Sequence, residues 1–544
     1  MRQWLIAAGA MACLPAAAVA ADPPAASPGA VRAHVEFLAD DLLEGRATGS
    51  RGFQIAARYV ATQMAALGLE PAGADGTWLQ PVQLIESTRV VPAARATIER
   101  GGERIELAPA VDFIPGFSFF GTEASVSAPL VFVGFGISAP ELDHDDFAGV
   151  DVTGKIAVVL SGAPAQFPNS QRAHYSREKT RQLAARGAVG IVSLNTPEDE
   201  TRWPWDRAVR LAWVPSMRLV DSAGQPVEAY PEIKASMSLN LASAGKVFEG
   251  GPKPLEQVFA DAQAGRPQSF DLPATLSLSL RAALGRTQCT NVVGVLRGSD
   301  PALAAEYVVF TAHLDHLGKG AAVNGDTIYN GAMDNASGTA VMLETARLLA
   351  TGKTRPKRSI IFLAVTAEER GLLGSRHFAM YPTVPKDAIV ANVNMDMPIT
   401  LFPMIGFTAF GAEHSTLGEV ARRALEAEGL EMMPDTEPAE VFFVRSDQYS
   451  FVREGIPALY LDQAAKSSDP AVDPDAVFKQ FLLRDYHMPS DQADLPIHWP
   501  SLANLARVNA RIGLSIANDP KRPAWLPGDF FGETFGAKRA APAE

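Results

Sequence analysis

The second half of the chain alternates short apolar runs with amphipathic segments. Apolar, β-branched runs of strand length predict buried strands at residues 292–296, 307–312, 359–366, 389–395 and 456–461. Apolar side chains at helical spacing predict helices between them, at residues 336–350, 371–380 and 415–428. This alternation predicts an α/β fold, in which helices cover both faces of a mixed, mostly parallel twisted sheet.

The first half has a different pattern, in three successive blocks. Residues 31–69 show helical spacing that is interrupted between Gly45 and Gly52, which predicts two helices and a tight connection. Residues 78–117 then alternate like strands. From about residue 125 to 237, short β-rich runs and a single helix predict an inserted β-rich domain. We therefore expect the following parts: a leader at 1–20, an N-terminal part of the main domain at 21–120, the inserted domain at 121–260, the main α/β core at 261–520 and a tail at 521–544.

Residues 1–20 have the pattern of a secretory signal peptide. A single positive charge, Arg2, precedes an apolar run that ends in the small-residue motif Ala18-Val19-Ala20. The sequence therefore predicts an exported protein, periplasmic or secreted. No later run is long and apolar enough to span a bilayer, so we expect no membrane span after cleavage. Cleavage leaves Cys289 as the one cysteine, which excludes an intrachain disulfide.

Charge and composition narrow the choice of partners. The chain of 544 residues is 47% hydrophobic and 20% charged, as expected for folded domains with large cores. Its formal net charge of −13 becomes −14 when the leader and its arginine are removed. Because no cluster of Lys and Arg accompanies this acidity, nucleic acids and anionic membranes are poor candidate partners.

Metal-ligating side chains follow several of the predicted strands. They are His313 and Asp315, Glu368 and Glu369, Asp396, and two further residues, Asp334 at a helix start and His487 near the end of the core. The carboxyl ends of parallel strands meet at one edge of a sheet, where sites form. Two imidazoles and three carboxylates suit two zinc ions with one shared carboxylate, and Asp334, on a Gly/Asn-rich loop, is the natural bridge.

The remaining acidic residues of this set have separate expected roles. Glu368 and Glu369 are adjacent and cannot point into the site in the same way, so one is expected to bind metal while the other acts as a base. Asp315 lies two residues after His313, on the same side of an extended segment. It is expected to accept the ring N–H that the metal does not use.

Other polar residues are interpreted as structural. His316 is expected in the wall of the site, His377 on a helix flank, and no ligand pattern surrounds the other histidines, His34, His144, His174, His414 and His498. The acidic cluster from Asp40 to Arg46 is interpreted as a solvated, capped helix end.

The motifs AHLDH, NGAMDNASG, AEERGLLGS, NVNMDM and YHMPSDQ resemble those of a family of co-catalytic di-zinc peptidases. This family includes bacterial leucyl aminopeptidase, glutamate carboxypeptidase and the transferrin receptor. The resemblance extends over about residues 30–520, and GFGISAPELDHDDFAGVDVTGKIAVVL in the inserted block resembles a protease-associated (PA) domain.

The resemblance implies a role for each site residue. His313 and Asp396 would bind one zinc ion, Glu369 and His487 the other, and Asp334 would bridge them. Glu368 matches the general base and Asp315 the residue that orients the first histidine. The implied activity is that of an aminopeptidase, which hydrolyses N-terminal residues from peptides with a free N-terminus, using a water that bridges two zinc ions. The chain departs from many relatives at Gln448 and Pro398, which affects the expected pocket shape.

Two alternatives remain open at the level of the sequence. The first is a carboxypeptidase or another di-zinc amidohydrolase of the same fold. The carboxypeptidase would need a basic pocket for the terminal carboxylate of its substrate, for which Arg445 and Arg453 are the candidates. A receptor-like binding protein on an inactive scaffold would be expected to lack ligands, whereas this sequence has all five together with the base.

Overall fold

A computed structural model of the chain describes residues 22–266, 269–436, 438, 441–462 and 466–539. The predicted leader, residues 1–20, lies outside the described residues. Within these ranges, no helix is both long enough and apolar enough to cross a bilayer.

The helices lie where apolar periodicity and capping residues favour them. Ser27, for example, accepts a hydrogen bond from the N–H of Ala30 at the start of the first helix, and Pro28 occupies its first turn. The helices are α1 (Pro28–Leu38), α2 (Arg51–Ala66), α3 (Asn169–Ala185), α4 (Pro197–Arg202), α5 (Trp205–Arg210), α6 (Gly245–Phe248), α7 (Leu255–Gln263), α8 (Gly338–Thr351), α9 (Leu373–Met380), α10 (Leu417–Ala427), α11 (Gln448–Val452), α12 (Pro474–Arg484), α13 (Trp499–Asn518) and α14 (Phe530–Phe535).

The strands include all five that the apolar runs predict. They are β1 (Glu70–Pro71), β2 (Leu79–Arg89), β3 (Arg95–Arg100), β4 (Glu103–Leu107), β5 (Phe113–Pro115), β6 (Glu123–Phe132), β7 (Ser138–Ala139), β8 (His144–Asp145), β9 (Ile156–Leu160), β10 (Gly190–Leu194), β11 (Ser216–Leu219), β12 (Ala235–Leu239), β13 (Phe270–Leu296), β14 (Tyr307–His313), β15 (Gly318–Val323), β16 (Asp326–Tyr329), β17 (Ser359–Val365), β18 (Ile389–Asn394), β19 (Gly406–Phe410), β20 (Glu431–Met433) and β21 (Ala458–Asp462).

The main domain is built on a mixed sheet with a parallel centre. Strands β17, β14, β18 and β21 are neighbours in that order and run parallel. Antiparallel neighbours flank them, β13 beside β17 and β19 beside β21. The fold class predicted from the alternation of strands and helices is therefore confirmed.

Alternate residues of these strands feed two separate cores, one on each face of the sheet. Val308 and Phe310 point into a core shared with α1, α2, α8, α10 and α13. Val309 points to the opposite side, where it packs with Phe378 of α9 and Phe451 of α11. Because both faces are covered by helices, the strands are mostly apolar, and the metal-ligating side chains lie at or after their carboxyl ends.

One long strand connects this sheet to a second one. Strand β13 pairs with β2 and β17 through its last part and with β3 and β6 through its first part. The second sheet continues from β6 through the parallel strands β9, β10 and β12. Its own hydrophobic core contains residues from Ala94 to Leu280. This second core therefore includes residues on both sides of the predicted limits of the inserted domain, 121–260.

Candidate metal centre

Three neighbouring parallel strands deliver metal-ligating side chains to one edge of the sheet. His313 is the last residue of β14, Glu368 and Glu369 follow β17, and Asp396 follows β18. Asp334 lies in a tight turn just before α8, and His487 follows α12. The fold therefore brings together residues that are up to 174 positions apart, as the sequence predicts for this set.

His313 forms the first half of the cluster with two carboxylates. Its Nε2 atom lies 3.0 Å from Oδ1 of Asp396 and 3.2 Å from Oδ1 of Asp334. Its Nδ1 atom lies 3.0 Å from the backbone carbonyl oxygen of Asp315. Because a carbonyl can only accept a hydrogen bond, Nδ1 is the donor, and the Nε2 atom faces the two carboxylates.

His487 forms the second half around the same aspartate. Its Nε2 atom lies 3.1 Å from Oδ2 of Asp334 and 3.1 Å from Oε2 of Glu369. Asp334 therefore presents one carboxylate oxygen to each histidine. The His487 backbone has φ of 59°, in the left-handed region, where a non-glycine residue is strained and where functional residues are enriched.

His316 lies closer to the ligands than its expected place in the wall suggests. Its Nδ1 atom is 2.6 Å from Oε1 of Glu369 and 3.8 Å from Oδ2 of Asp334. Donor atoms of His316, Asp334 and Glu369 lie within 4.8 Å of one another, as do those of His313, Asp334 and Asp396. His316 belongs to the AHLDH motif, so the sequence contained a signal that it lies beside the metal-ligating residues.

The predicted contact between the Asp315 carboxylate and His313 is absent, since the backbone carbonyl of Asp315 takes the imidazole N–H instead. The Asp315 side chain turns the other way, where Oδ1 accepts from the N–H of Glu368 at 3.1 Å and Oδ2 accepts from the hydroxyl of Thr48 at 3.0 Å. Asp315 therefore supports Glu368 through its side chain and His313 through its main chain.

A further buried aspartate, not predicted as a site residue, holds the turn that carries Asp334. Asp491 accepts hydrogen bonds from the N–H groups of Met333 at 2.8 Å and Asp334 at 3.0 Å. Burial, opposed by these bonds, raises the pKa of Asp491 to about 6. The YHMPSDQ motif contains Asp491 four residues after His487, so the sequence contained a signal that it belongs to the site.

The pKa values of the two adjacent glutamates are shifted in opposite directions. Burial raises the pKa of Glu368 well above its ordinary value, and the negative charge of Asp396 adds to the shift. For Glu369, burial acts in the same direction, but His487 and His316 outweigh it and hold its pKa well below the ordinary range. Opposite shifts in a neighbouring pair are typical of groups with different roles in acid–base chemistry.

The donor atoms fit a pair of zinc ions. Nitrogen and carboxylate oxygen are suitable zinc ligands. The Nε2 atoms of His313 and His487 face carboxylate oxygens at 3.0–3.2 Å, so a proton or a metal ion must lie between the partners of each contact. Without a metal ion, the site favours the protonated form of His487: burial lowers the pKa of His487, but Glu369 and Asp334 outweigh it and raise the pKa to about 9.

The cluster opens into a cavity of about 340 Å³ that includes His313, Asp334, Glu368 and Asp396 in its lining. A larger cavity, of about 820 Å³, contains none of these residues. Volume alone therefore does not identify the site, and the chemistry of the lining does.

The inserted domain supplies part of the wall of this 340 Å³ cavity. Trp203 and Arg207, from the segment of α4 and α5, line it together with the metal-ligating residues. The Arg207 guanidinium donates to the carbonyl oxygens of Leu482 at 3.1 Å and Tyr486 at 2.8 Å, and it lies 4.5 Å from the centre of the Trp203 ring. It thereby fixes the main chain next to His487.

Comparisons with known proteins agree with this geometry. The sequence model of Peptidase family M28 matches residues 291–512, and that of the PA domain matches residues 126–226. The second match falls within the predicted inserted domain.

Three individual proteins illustrate the similarity. The chain is 34% identical over 137 residues to the mouse (Mus musculus) protein named Aminopeptidase NAALADL1, a match that covers 24% of this chain and 16% of that protein. It is 30% identical over 226 residues to an aminopeptidase of Pseudomonas aeruginosa strain UCBPP-PA14, covering 40% of this chain and 38% of the relative. The chain thus matches well under two thirds of either relative. The solved structure of an aminopeptidase from Aneurinibacillus sp. strain AM-1 has the same fold, with a TM-score of 0.53 and 19% identity over 93% of this chain and 97% of the other.

Proposed function

Because this chain belongs to peptidase family M28, with the family domain at residues 291–512 and a PA domain at residues 126–226, we propose that it is an exported zinc aminopeptidase. It removes N-terminal residues from peptides that have a free amino terminus. The observation that carries the proposal is the orientation of Asp334, which presents one carboxylate oxygen to His313 and the other to His487. A single carboxylate placed in this way suits two metal ions that share a ligand.

The ligand assignment follows from these contacts. His313 and Asp396 would hold one zinc ion, Glu369 and His487 the other, and Asp334 both. Bound zinc acts as a Lewis acid toward a carbonyl oxygen and lowers the pKa of water, so that hydrolysis proceeds near neutral pH. The role of the surrounding protein is to keep the five ligands in place and to exclude bulk water.

Glu368 is the general base of the proposed reaction. Its side chain lines the cavity, and the hydrogen bond from its N–H to Asp315 fixes the main chain at this point. A pKa raised by burial brings a carboxyl group closer to neutral pH, where proton transfer in both directions is efficient. Glu368 accepts a proton from the attacking water, whose oxygen bonds to the carbonyl carbon of the first peptide bond, and gives the proton to the nitrogen as the C–N bond breaks.

The walls of the cavity favour a substrate that enters with its amino terminus first. Cationic residues of the lining, among them Arg207 and Lys479, lie on elements around the metal-ligating residues, where they favour a substrate whose carboxylate lies away from the cluster. Of the two arginines considered for a carboxypeptidase, only Arg445 lines the cavity, whereas Arg453 makes an ion pair with Glu228 at 2.5 Å. Of the two arginines considered from the sequence, only Arg445 therefore remains a candidate for a carboxylate pocket, and we favour the aminopeptidase.

Export is proposed from the leader sequence at residues 1–20. It is tested by N-terminal sequencing of the mature protein from periplasmic and culture fractions. A mature chain that begins at Ala21 supports the proposal, and an intact amino terminus in the cytoplasm contradicts it.

The activity is tested with purified protein in two measurements. Metal analysis is expected to give about two zinc ions per chain, and a chelator should abolish turnover. Digestion of matched peptides, one N-acetylated and one C-amidated, followed by mass spectrometry, should show that acetylation blocks cleavage while amidation does not. Full activity without zinc would refute the metal centre. The reverse pattern of blocking would replace the aminopeptidase with a carboxypeptidase.

A further inference from the structure

The segment Leu38–Thr48, between α1 and α2, lies against the loops that carry the metal ligands. The sequence pattern predicts a solvated helix end for its polar residues, and Asp40, Asp41 and Glu44 are exposed. Arg46 is not: its exposed fraction is 1%, and it is one of the largest fully buried side chains of the described chain. That part of the interpretation is wrong, because contacts with residues more than 260 positions later remove Arg46 from water.

Arg46 binds backbone carbonyls on both sides of the cluster. Its Nε atom donates to Leu314 at 3.0 Å, Nη1 donates to Asn330 at 2.7 Å and also to Leu38, and Nη2 donates to Gly331 at 3.0 Å. Leu314 follows His313 directly in the chain. Asn330 and Gly331 begin the turn that presents Asp334.

The backbone of the segment Leu38–Thr48 also contacts the loops that carry the metal ligands. The N–H of His316 donates to the carbonyl oxygen of Arg46 at 3.3 Å. Gly45 has φ of 68°, and a Cβ atom there would lie 2.3 Å from the carbonyl oxygen of Tyr329. A side chain at this position would therefore displace the strand that leads to Asn330.

The charge of Arg46 also faces the cluster. Burial lowers the pKa of Arg46 to about 10, and the carboxylates of Asp491, Asp334, Asp315 and Glu369 oppose this shift. The guanidinium remains cationic at neutral pH, so it offsets part of the negative charge of these four carboxylates.

We propose that Arg46 is a positioning residue of the metal centre, which fixes the loop at Leu314 relative to the turn at Asn330–Gly331 so that His313 and Asp334 share one metal ion. This inference rests on the proposed zinc centre. A buried guanidinium has five N–H donors in a rigid plane, and four hydrogen bonds to carbonyls use most of them. Lysine retains the charge but cannot reproduce this planar set.

Arg358 provides a matched control for the test. It is also fully buried and also donates to carbonyl oxygens, at 2.9 Å to Ile516 of α13, but its ion pair is with Glu306. Arg358 lies at the start of β17, the end opposite to the one that Glu368 and Glu369 follow. Loss of Arg358 therefore disturbs the fold without disturbing the cluster.

The experiment compares Arg46→Met, Arg46→Lys and Arg358→Met in the full-length protein. Zinc per chain, the rate of zinc loss to a chelator, and the Tm of the metal-free and zinc-loaded protein are measured. For Arg46→Met we expect zinc loss that is ~10–100-fold faster, the range for removal of groups that support metal ligands, and a smaller rise in Tm on zinc addition. Arg46→Lys should lie between this variant and wild type. Arg358→Met should lower the Tm of the metal-free protein but release zinc at the wild-type rate.

The outcomes separate the inference from the proposed function. If wild type binds no zinc, the metal centre itself is refuted. If wild type binds zinc and folded Arg46 variants release it at the wild-type rate, the positioning role is wrong while the metal centre stands. If Arg358→Met accelerates zinc loss as much as Arg46→Met, the effect is general destabilisation, which also overturns the inference. Should Arg46→Met not fold, the zinc-release rate of Arg46→Lys decides.

Discussion

The adjacent glutamates are expected to fail in different ways when each is replaced by glutamine. Glu369 contacts His487 through one carboxylate oxygen, at 3.1 Å, and His316 through the other, at 2.6 Å. The side chain of Glu368 instead lines the cavity. Glu368→Gln and Glu369→Gln each replace an oxygen with an NH₂ group at almost constant size, so differences between them report on chemistry rather than packing.

The expected magnitudes follow from these contacts and from the opposite pKa shifts. Glu368, whose pKa is raised by burial and by Asp396, is suited to carry a proton. Loss of a general base reduces kcat by ~10²–10⁴-fold, which corresponds to about 3–5 kcal/mol of transition-state stabilisation. The zinc content of Glu368→Gln should stay at the wild-type value. Glu369, held as an anion by two imidazoles, is suited to bind a cation, and Glu369→Gln should lose zinc from one site.

Both quantities can be measured on the same preparations. Zinc per chain is determined by elemental mass spectrometry, and kcat with an aminoacyl chromogenic substrate at saturating zinc. Glu344→Gln is a suitable control, because Glu344 is buried but pairs with Arg347 and the N–H of Ser27 at a distance from the cluster. If zinc content falls in Glu368→Gln and not in Glu369→Gln, the roles of the two residues are reversed.

Two further predictions concern contacts outside the ligand set. Burial lowers the pKa of His414, but its hydrogen bond with Asp529 outweighs this and raises the pKa to about 9. Its stabilising contribution, at most ~3 kcal/mol, is therefore complete below pH 6.5 and lost as the pH rises through 9. Chemical denaturation between these pH values should show this loss for wild type and not for His414→Gln; parallel curves would contradict it. Arg207→Ala should raise KM for peptides ~10-fold or more, because hydrogen bonds to charged groups contribute ~1.5–3 kcal/mol and one of these fixes the wall at Tyr486. Steady-state kinetics should show no such change for the exposed neighbour Arg210→Ala, and an equal effect of both would disprove the wall contact.

The parallel centre of the fold was predictable because it depends on local pattern. Each apolar run of β-branched residues has the length of one strand. Because its side chains are apolar on both faces, it fits a strand that is covered on both sides. The length of β13 was not predicted, although the signal was present. Leu276, Leu278 and Leu280 alternate with serines and are buried in the second core, which is the period expected of a strand. Only its last part, residues 292–296, was recognised, so the connection between the two sheets was missed.

That the proposed ligands lie together was predictable and the supporting contacts were not, for a physical reason. Ligands are chosen by chemical type and follow strands whose ends must meet at one edge. Whether the carboxylate or the carbonyl of Asp315 faces His313 depends on the twist of the chain after the strand, which a spacing of two residues does not determine. The burial of Arg46 depends on loops more than 260 positions away, so its polar neighbours in the sequence suggested a solvated site.

The charge distribution of the cavity gives an independent argument for the end of the peptide that reacts. The net charge of −13 is spread over the whole surface, and its field is screened beyond ~8–10 Å, so it cannot select one terminus at the site. The local charges can. The cavity floor holds Asp334, Glu368 and Asp396, whereas cationic residues of its lining, among them Arg207 and Lys479, lie on surrounding elements. With two zinc ions bound, the four carboxylates Asp334, Glu368, Glu369 and Asp396 would be offset in formal charge, so the preference comes from the surrounding cations. These cations favour the orientation that points the peptide carboxylate away from the cluster and its ammonium group toward it.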